Sequence, residues 1–179
     1  MKHLVIPILL LGLAAAPAHA DADLDALFGK LKKEANEAAA GRIARDIWAK
    51  WTNSGSASID LMVGWANDAA EARKFDIALD FLDQVVLLQP DYAEGWNRRA
   101  TVHFMMDDYA KAAADIERTL ALEPRHFGAL SGMAAILRAT DREARALSAY
   151  EQVLAVYPAN KEAQDALAEL SEKLAGNRI

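Results

Sequence analysis

Apolar residues in this chain follow a helical rhythm that is broken at regular points. Leu120, Ala121 and Leu122 end one such run, Pro124 interrupts it, and Phe127, Leu130 and Met133 begin the next at spacings of three. The same interruption occurs at Pro90 and Pro158, each 34 residues from Pro124. A fixed period of this length marks a repeat architecture, in which each unit is one supersecondary element that stacks on its neighbours. The segments 59–92, 93–126 and 127–160 each read as helix, tight turn, helix, with proline ending the second helix and forcing a corner. β-branched residues are sparse and no alternating apolar and polar run lies between turn signals, so a sheet has no support. The predicted class is all-α.

Within this frame the small residues fall into columns. Ala66, Ala100 and Ala134 share one position of the first helices, and Ala78, Ala112 and Ala146 share one of the second. Small side chains at fixed places are what paired helix axes need if they are to approach closely. In the middle copy Trp96 lies four residues before Ala100, Tyr109 follows the turn at Asp107 and Asp108, and Ile116, Thr119 and Leu120 line the second helix. The adjacent carboxylates Asp107 and Asp108 read as turn residues and not as a catalytic pair, because neighbours in a turn do not converge on one substrate.

These residues resemble the tetratricopeptide repeat, whose signature is a large residue, a small one four later, an aromatic near the turn, a small residue in the second helix and a terminal proline. The resemblance implies a right-handed superhelical solenoid of stacked antiparallel helix pairs. Its departures are Trp65, Arg99 and Met133 in a column usually held by leucine, and Glu143 where Phe75 and Tyr109 supply the aromatic. Stepping back another 34 residues places Phe28, Leu31, Ala44, Trp48 and Trp51 on core columns, with Ser56 at the proline position and Lys32 where a small residue belongs. This predicts a degenerate helical hairpin capping the front of the array, with Asn36 capping its second helix and Ser56 or Ser58 starting the next. Behind Pro158, one helix over Lys161 to Leu174 serves as a lid, apolar at Ala163, Leu167, Leu170 and Leu174 and acidic at Glu162, Asp165, Glu169 and Glu172.

The expected organisation is a signal peptide over residues 1–20, the N-terminal hairpin over 21–56, repeats over 57–92, 93–126 and 127–160, and a capping helix and tail over 161–179. The leader MKHLVIPILLLGLAAAPAHA has a polar start, an apolar run too short to span a bilayer comfortably, and the small-x-small pattern Ala18-His19-Ala20. Cleavage is expected between Ala20 and Asp21, delivering a periplasmic protein with no membrane span. Asp21 stands where a lipoprotein needs cysteine.

The chain contains no cysteine, which excludes disulfides, thiol nucleophiles and thiolate metal sites. Its net charge of −6 becomes about −7 once Lys2 leaves with the leader, and no basic tract interleaved with aromatics is present, so nucleic acid is not an expected partner. No HExxH, GxSxG, phosphate-cradling glycine loop or calcium-loop spacing occurs. No metal, no cofactor and no catalytic residue is therefore assigned, and a cell-wall hydrolase is the weakest reading. The histidines after the leader are His103, in a column usually packed by tyrosine, and His126, read as exposed or capping.

In repeats of this type the first helices line a concave surface, and the resemblance implies that their inward residues contact extended or helical peptides. Asn67, Glu71, Asn97, Arg98, Thr101, Phe104, Met105 and Arg138 are the expected groove residues. Phe104 and Met105 suit an apolar anchor, while Asn67, Asn97 and Arg98 suit backbone or carboxylate. Arg99 occupies an inward column, and a buried guanidinium requires a partner, for which the next helix offers Asp115 or Glu117, with Asp115 expected. A cationic patch of Arg98, Arg99, Arg125 and His126 is the alternative. The carboxylate-clamp subclass is not matched: Asn67 fits, but Val63, Gly128 and Gly132 replace its lysine, lysine and arginine.

The stretches GWNRRAT and DIERTLALEPRHFGALSG resemble short periplasmic members of this family from alphaproteobacteria associated with cell-envelope integrity. That resemblance implies an envelope scaffold or adaptor binding a protein or peptide. A self-associating structural subunit, using Trp48, Trp51 and the outer helix faces, is the alternative.

Overall fold

The computed structural model describes residues 22–176, and the expected leader and its cleavage point lie outside them. Among the described residues there are nine α-helices and no strand: α1 (Ala22–Leu31), α2 (Glu37–Trp51), α3 (Ala57–Glu71), α4 (Phe75–Leu88), α5 (Ala93–Met105), α6 (Tyr109–Leu122), α7 (Phe127–Ala139), α8 (Glu143–Val156) and α9 (Lys161–Gly176). Helices α3–α4, α5–α6 and α7–α8 form three antiparallel pairs, and α9 packs on α8.

The pairing follows from the small columns. Ala66, Ala100 and Ala134 are at most 2% exposed, and Ala78, Ala112 and Ala146 are fully buried, so the two helices of each unit meet on methyl groups. Each first helix ends in the same way. Arg73, Asp107 and Asp141, 34 residues apart, adopt left-handed backbone with φ of 58°, 58° and 56°. The following amides then reach back five residues, as in Lys74 N–H to the Ala69 carbonyl and Asp108 N–H to His103, a Schellman closure that satisfies the last turn of the helix. Asp108 caps α6 by accepting from the Lys111 amide, and Asp107 accepts from the Tyr109 hydroxyl at 2.7 Å, so both carboxylates serve the turn. Helices α4, α6 and α8 stop at Leu88, Leu122 and Val156, two residues before each proline, with the intervening cap residue at ψ between 73° and 94°.

The N-terminal hairpin does not cap the front. Phe28, Leu31, Ala40, Ala44, Ile47 and Trp51 belong to one core cluster with Phe127, Leu130, Tyr150, Val153 and Tyr157 of the last repeat, while the α3–α4 core is separate. Helix α2 runs along the proline corners instead. Gly41 lies beside Tyr157 at the third corner, Trp48 and Trp51 sit on His126 and Gly128 at the second, and Ser54 accepts from Gln89 Nε2 at the first. The physical reason is visible at residue 61. In later copies that column holds Gly95, Ala129 and Ala163, small enough for a preceding helix to nestle, but α3 offers Leu61. The hairpin's aromatic face is instead satisfied by the corner, where Trp51 stacks on His126 at 4.0 Å and 9°, and Trp48 packs edge-on against Phe127 at 5.7 Å. Asn36 caps α2 through its side chain, whereas Ser56 begins α3 without a side-chain cap bond.

Candidate functional site

The first helices α3, α5 and α7 face a common trough, and two adjoining cavities open into it. One, of about 240 Å³, is lined by Asn67, Glu71, Arg98, Thr101 and Met105 together with Ala70, Leu82 and Val102 between α3 and α5. The other, of about 250 Å³, lies between α5 and α7 and is lined by Asn97, Thr101 and Phe104, with Ile116, Ile136 and the small residues Gly128, Ser131, Gly132 and Ala135. Thr101 lines both, so seven of the eight expected groove residues are brought together around one continuous trough. The eighth, Arg138, is not there. It reaches Glu169 on α9 at 2.9 Å.

The polar groups of the trough rest on a carboxylate from an inward first-helix column, Glu94, which the structure buries. Glu94 has a fully buried side chain and accepts from Arg98 Nε at 2.6 Å, Asn97 Nδ2 at 2.9 Å and His126 Nε2 at 3.1 Å. His126 Nδ1 in turn accepts from the Ala129 amide at 3.1 Å, capping α7. That bond leaves the proton on Nε2, so His126 is the neutral donor to Glu94. His126 is fully buried, which corrects its reading as an exposed residue and retains the capping role. Two sequence signals point to Glu94, its inward first-helix column and its position one turn before Arg98, but an i,i+4 acid and base pair is ordinarily a surface feature and does not announce burial.

Arg98 is thereby held by one nitrogen while its two Nη groups have no hydrogen-bond partner among the described residues. Its side chain is one-third exposed and lines the first cavity. Such a fork can take a carboxylate or two carbonyl oxygens in one plane. Met105, 44% exposed, and the half-buried Phe104 supply apolar surface on either side of Thr101.

Arg99 turns the other way. It binds Asp115 through Nε at 2.9 Å and Nη2 at 2.7 Å, reaches Asp83 on α4 at 2.7 Å through Nη1, and lies 4.8 Å over the Trp96 ring. The Asp115 hydrogen bond holds its guanidinium above the usual arginine range. His103 packs nearby, 3.9 Å from Asp115, and burial pushes its imidazole below the ordinary histidine value. Arg125 pairs with Glu123 and with Asp25 of α1. The alternative of a single cationic patch is therefore dispersed, because its members answer to three separate sets of carboxylates: Arg98 and His126 to Glu94, Arg99 to Asp115 and Asp83, and Arg125 to Glu123 and Asp25. Trp51 is buried and Trp48 is half-buried against the corner, so the expected outward role of these rings in self-association is also corrected.

A wider cleft of about 830 Å³ lies at the third corner between the starts of α2 and α9. Its cations Arg42, Arg45 and Lys161 are offset by Glu37 and Glu162, and it lies on the corner edge, whereas the paired cavities share the trough walls. Among the described residues no group of three or more histidine or acidic side chains is placed to hold a metal ion, and no helix is long and apolar enough to cross a membrane.

Residues 93–126 match the family model described as tetratricopeptide repeat. Over 155 residues the chain is 52% identical to a TPR repeat-containing protein of Rhizobium etli, covering 87% of this chain and 76% of that one. A 65-residue stretch is 37% identical to the Hsp70-Hsp90 organizing protein of Triticum aestivum, covering 36% of this chain and 11% of that protein. Among solved structures, the first TPR of Spaghetti (RPAP3) bound to an HSP90 peptide superposes with a TM-score of 0.62 at 26% identity, over 65% of this chain and 93% of that one. The Sgt2 TPR domain of Aspergillus fumigatus superposes with a TM-score of 0.63 at 20% identity, over 69% and 84%, which speaks to the fold alone.

Proposed function

The chain belongs to the tetratricopeptide-repeat family, and from that membership we propose that it is a non-enzymatic scaffold or adaptor holding a segment of a protein partner in its trough. The observation that carries this reading is the arrangement around Thr101: a guanidinium fixed by a buried carboxylate with two nitrogens unengaged, beside two cavities lined by Met105 and Phe104. A polar fork next to apolar cups binds a peptide by orientation at one point and desolvation at the others. The relative solved with an HSP90 peptide supports peptide recognition as the use of this shape. The contacts here differ from a clamp for a terminal carboxylate, since Val63, Gly128 and Gly132 carry no charge and Arg98 stands on α5.

The place of action we assign is the periplasm, through a leader removed after Ala20, in support of cell-envelope integrity. The leader's polar start, apolar run and small-residue end support this assignment. Replacing Arg98, Phe104 and Met105 together by alanine tests the trough. Crosslinking in intact cells followed by mass spectrometry should lose the partner captured by the native chain, with helicity unchanged; undiminished capture would reject the trough as the binding surface. Fractionation of the same cells should find the chain in the periplasmic fraction with Asp21 as its first residue, and retention in the cytoplasm would reject the assigned location.

A further inference from the structure

The two cups of the trough differ in shape but agree in charge. The cup between α5 and α7 has a wall of small residues and a floor at Ile116, and a Cβ at Gly132 would come 3.1 Å from Ile116 Cδ1, so glycine keeps that floor open. At about 250 Å³ it has room for one large apolar side chain. Each cup also carries one carboxylate, Glu71 of α3 in the first and Glu162 of α9 in the second. Both are exposed, and neither makes an ion pair among the described residues. Arg98 is the one cation lining either cup, and Glu94 already balances its charge at 2.6 Å. Towards the rear, Arg138 is paired with Glu169 and Lys161 with Asp165. The unbalanced charge of the cups is therefore negative at both ends.

The hydrogen-bonding groups agree with this. Asn97 is 9% exposed and lines the second cup. Its Nδ2 donates to Glu94, an acceptor only, which fixes the amide's orientation and leaves Oδ1 as the end presented to the cup. That oxygen accepts no hydrogen bond among the described residues, so it calls for an N–H from whatever fills the cup. On the other side of Thr101, the two Nη groups of Arg98 call for acceptors. A carboxylate seated on them would face Glu71 in the same cup, a repulsion that uncharged carbonyl oxygens avoid.

We infer that the trough takes a basic segment of its partner: an extended chain with a bulky apolar side chain in the α5–α7 cup and Lys or Arg side chains on Glu71 and Glu162. Arg98 holds its main chain through carbonyl oxygens, and Asn97 Oδ1 through an amide N–H. This rests on the trough being the binding surface and names the class of segment that it selects. Charge complementarity chooses this occupant over an acidic one, and the chain's net charge of −6 favours its approach. The cups flank α5 and so lie about one helix spacing apart, ~10 Å, which about three residues of extended chain cover. The expected pattern is a basic residue about three positions from the apolar anchor, with a second basic residue beside the anchor.

Panning a random-peptide display library on the full chain tests this, with the selected peptides then titrated by fluorescence anisotropy. The peptides should be enriched in Lys and Arg around a Leu, Ile, Met or Phe, be depleted in Asp and Glu, and bind more weakly as salt is raised. Glu71→Gln and Glu162→Gln should each weaken them roughly threefold, the worth of one partly exposed ion pair. Glu151→Gln on α8, outside the cups, should leave binding unchanged. Glu71→Lys combined with Glu162→Lys should turn the selection towards acidic peptides. Peptides that need Arg98, Phe104 and Met105 but are acidic or without charge bias would overturn the inference and leave the trough as the binding surface. Basic peptides that need those three residues yet are indifferent to both glutamine variants would overturn it as well. Peptides indifferent to the triple alanine variant would reject the trough itself, and the basic segment with it.

Discussion

Replacing Glu94 by alanine should destabilise the fold well beyond what losing one surface ion pair would do. The carboxylate accepts three hydrogen bonds, and the three donors differ in what happens when it is removed. His126 is fully buried and keeps its proton on Nε2 because Nδ1 is committed to the Ala129 amide, so its N–H is left without an acceptor, at a cost of about 1–3 kcal/mol. Asn97 is 9% exposed and loses the partner of one amide N–H, a smaller penalty of about 1 kcal/mol because rotation can recover part of it. Arg98 is one-third exposed and rehydrates, so its contribution is discounted to a few tenths, in the range of surface pairs. The sum is about 3 kcal/mol, which for a chain of this size lowers the thermal midpoint by roughly 6–12 °C. Glu94→Gln separates the causes: it keeps one acceptor oxygen and the side-chain volume, and should lose about half as much. Urea and thermal unfolding of both variants provide the measurement. A loss below about 1 kcal/mol for Glu94→Ala, or equal losses for the two, would refute the assignment of the buried acceptor as the element that holds trough and corner together.

Two further perturbations follow from the same geometry. His103 is held below the ordinary histidine value of 6.5 by burial, so the unfolded chain binds a proton at His103 more readily than the folded one. Its contribution is therefore full above pH 6.5 and is lost as pH falls through the folded value; His103→Gln should flatten the decline in stability between pH 7 and 5, measured by urea midpoints at each pH. At Gly128 a Cβ would come 2.8 Å from the Trp48 ring, so Gly128→Ala should cost about 1–3 kcal/mol. Pairing it with Trp48→Leu should recover part of that loss in a double-mutant cycle, and strict additivity would show that the ring is not the obstacle.

The helix pairs were legible because period, proline corners and alanine columns are local and mutually consistent signals. The path of the N-terminal hairpin was not. Its residues Phe28, Trp48 and Trp51 fall on core columns in the repeat frame, so the pattern correctly identifies them as inward-facing but cannot say which surface they face. That choice is made by Leu61, which closes the front, and by the corner at His126, Phe127 and Gly128, which opens a flat aromatic seat 75 residues further along from Trp51. The trough was legible for a related reason. First-helix columns point inward in every copy, so Asn67, Asn97, Arg98, Thr101, Phe104 and Met105 converge without any tertiary information. Arg138 fails this rule because the acidic lid helix follows its repeat, and Glu169 draws the guanidinium away from the cavities. Glu94 also falls on an inward first-helix column, but its burial is not legible there, because a first-turn glutamate normally faces water and only the three-way convergence with Asn97, Arg98 and His126 buries it.

The strut formed by α2 changes what kind of solenoid this is. In a plain stack each repeat touches only its neighbours, stability is a sum of nearest-neighbour terms, and the angle between repeats can flex. Here one rigid helix bears on the corners of the second and third repeats, and the loop after it bears on the first through Gln89 and Ser54. Those corners are where each second helix hands over to the next first helix, so fixing them fixes the relative orientation of α5 and α7, the two walls of the cavity containing Phe104. Trp51 then acts on the trough through a short chain of contacts: its ring on His126, His126 on Glu94, and Glu94 on Asn97 and Arg98. A partner segment meets a wall already set in position, and less of its binding energy is spent on ordering the host. The same contacts tie the first and last repeats into one body, which favours loss of the fold in a single step over fraying from either end.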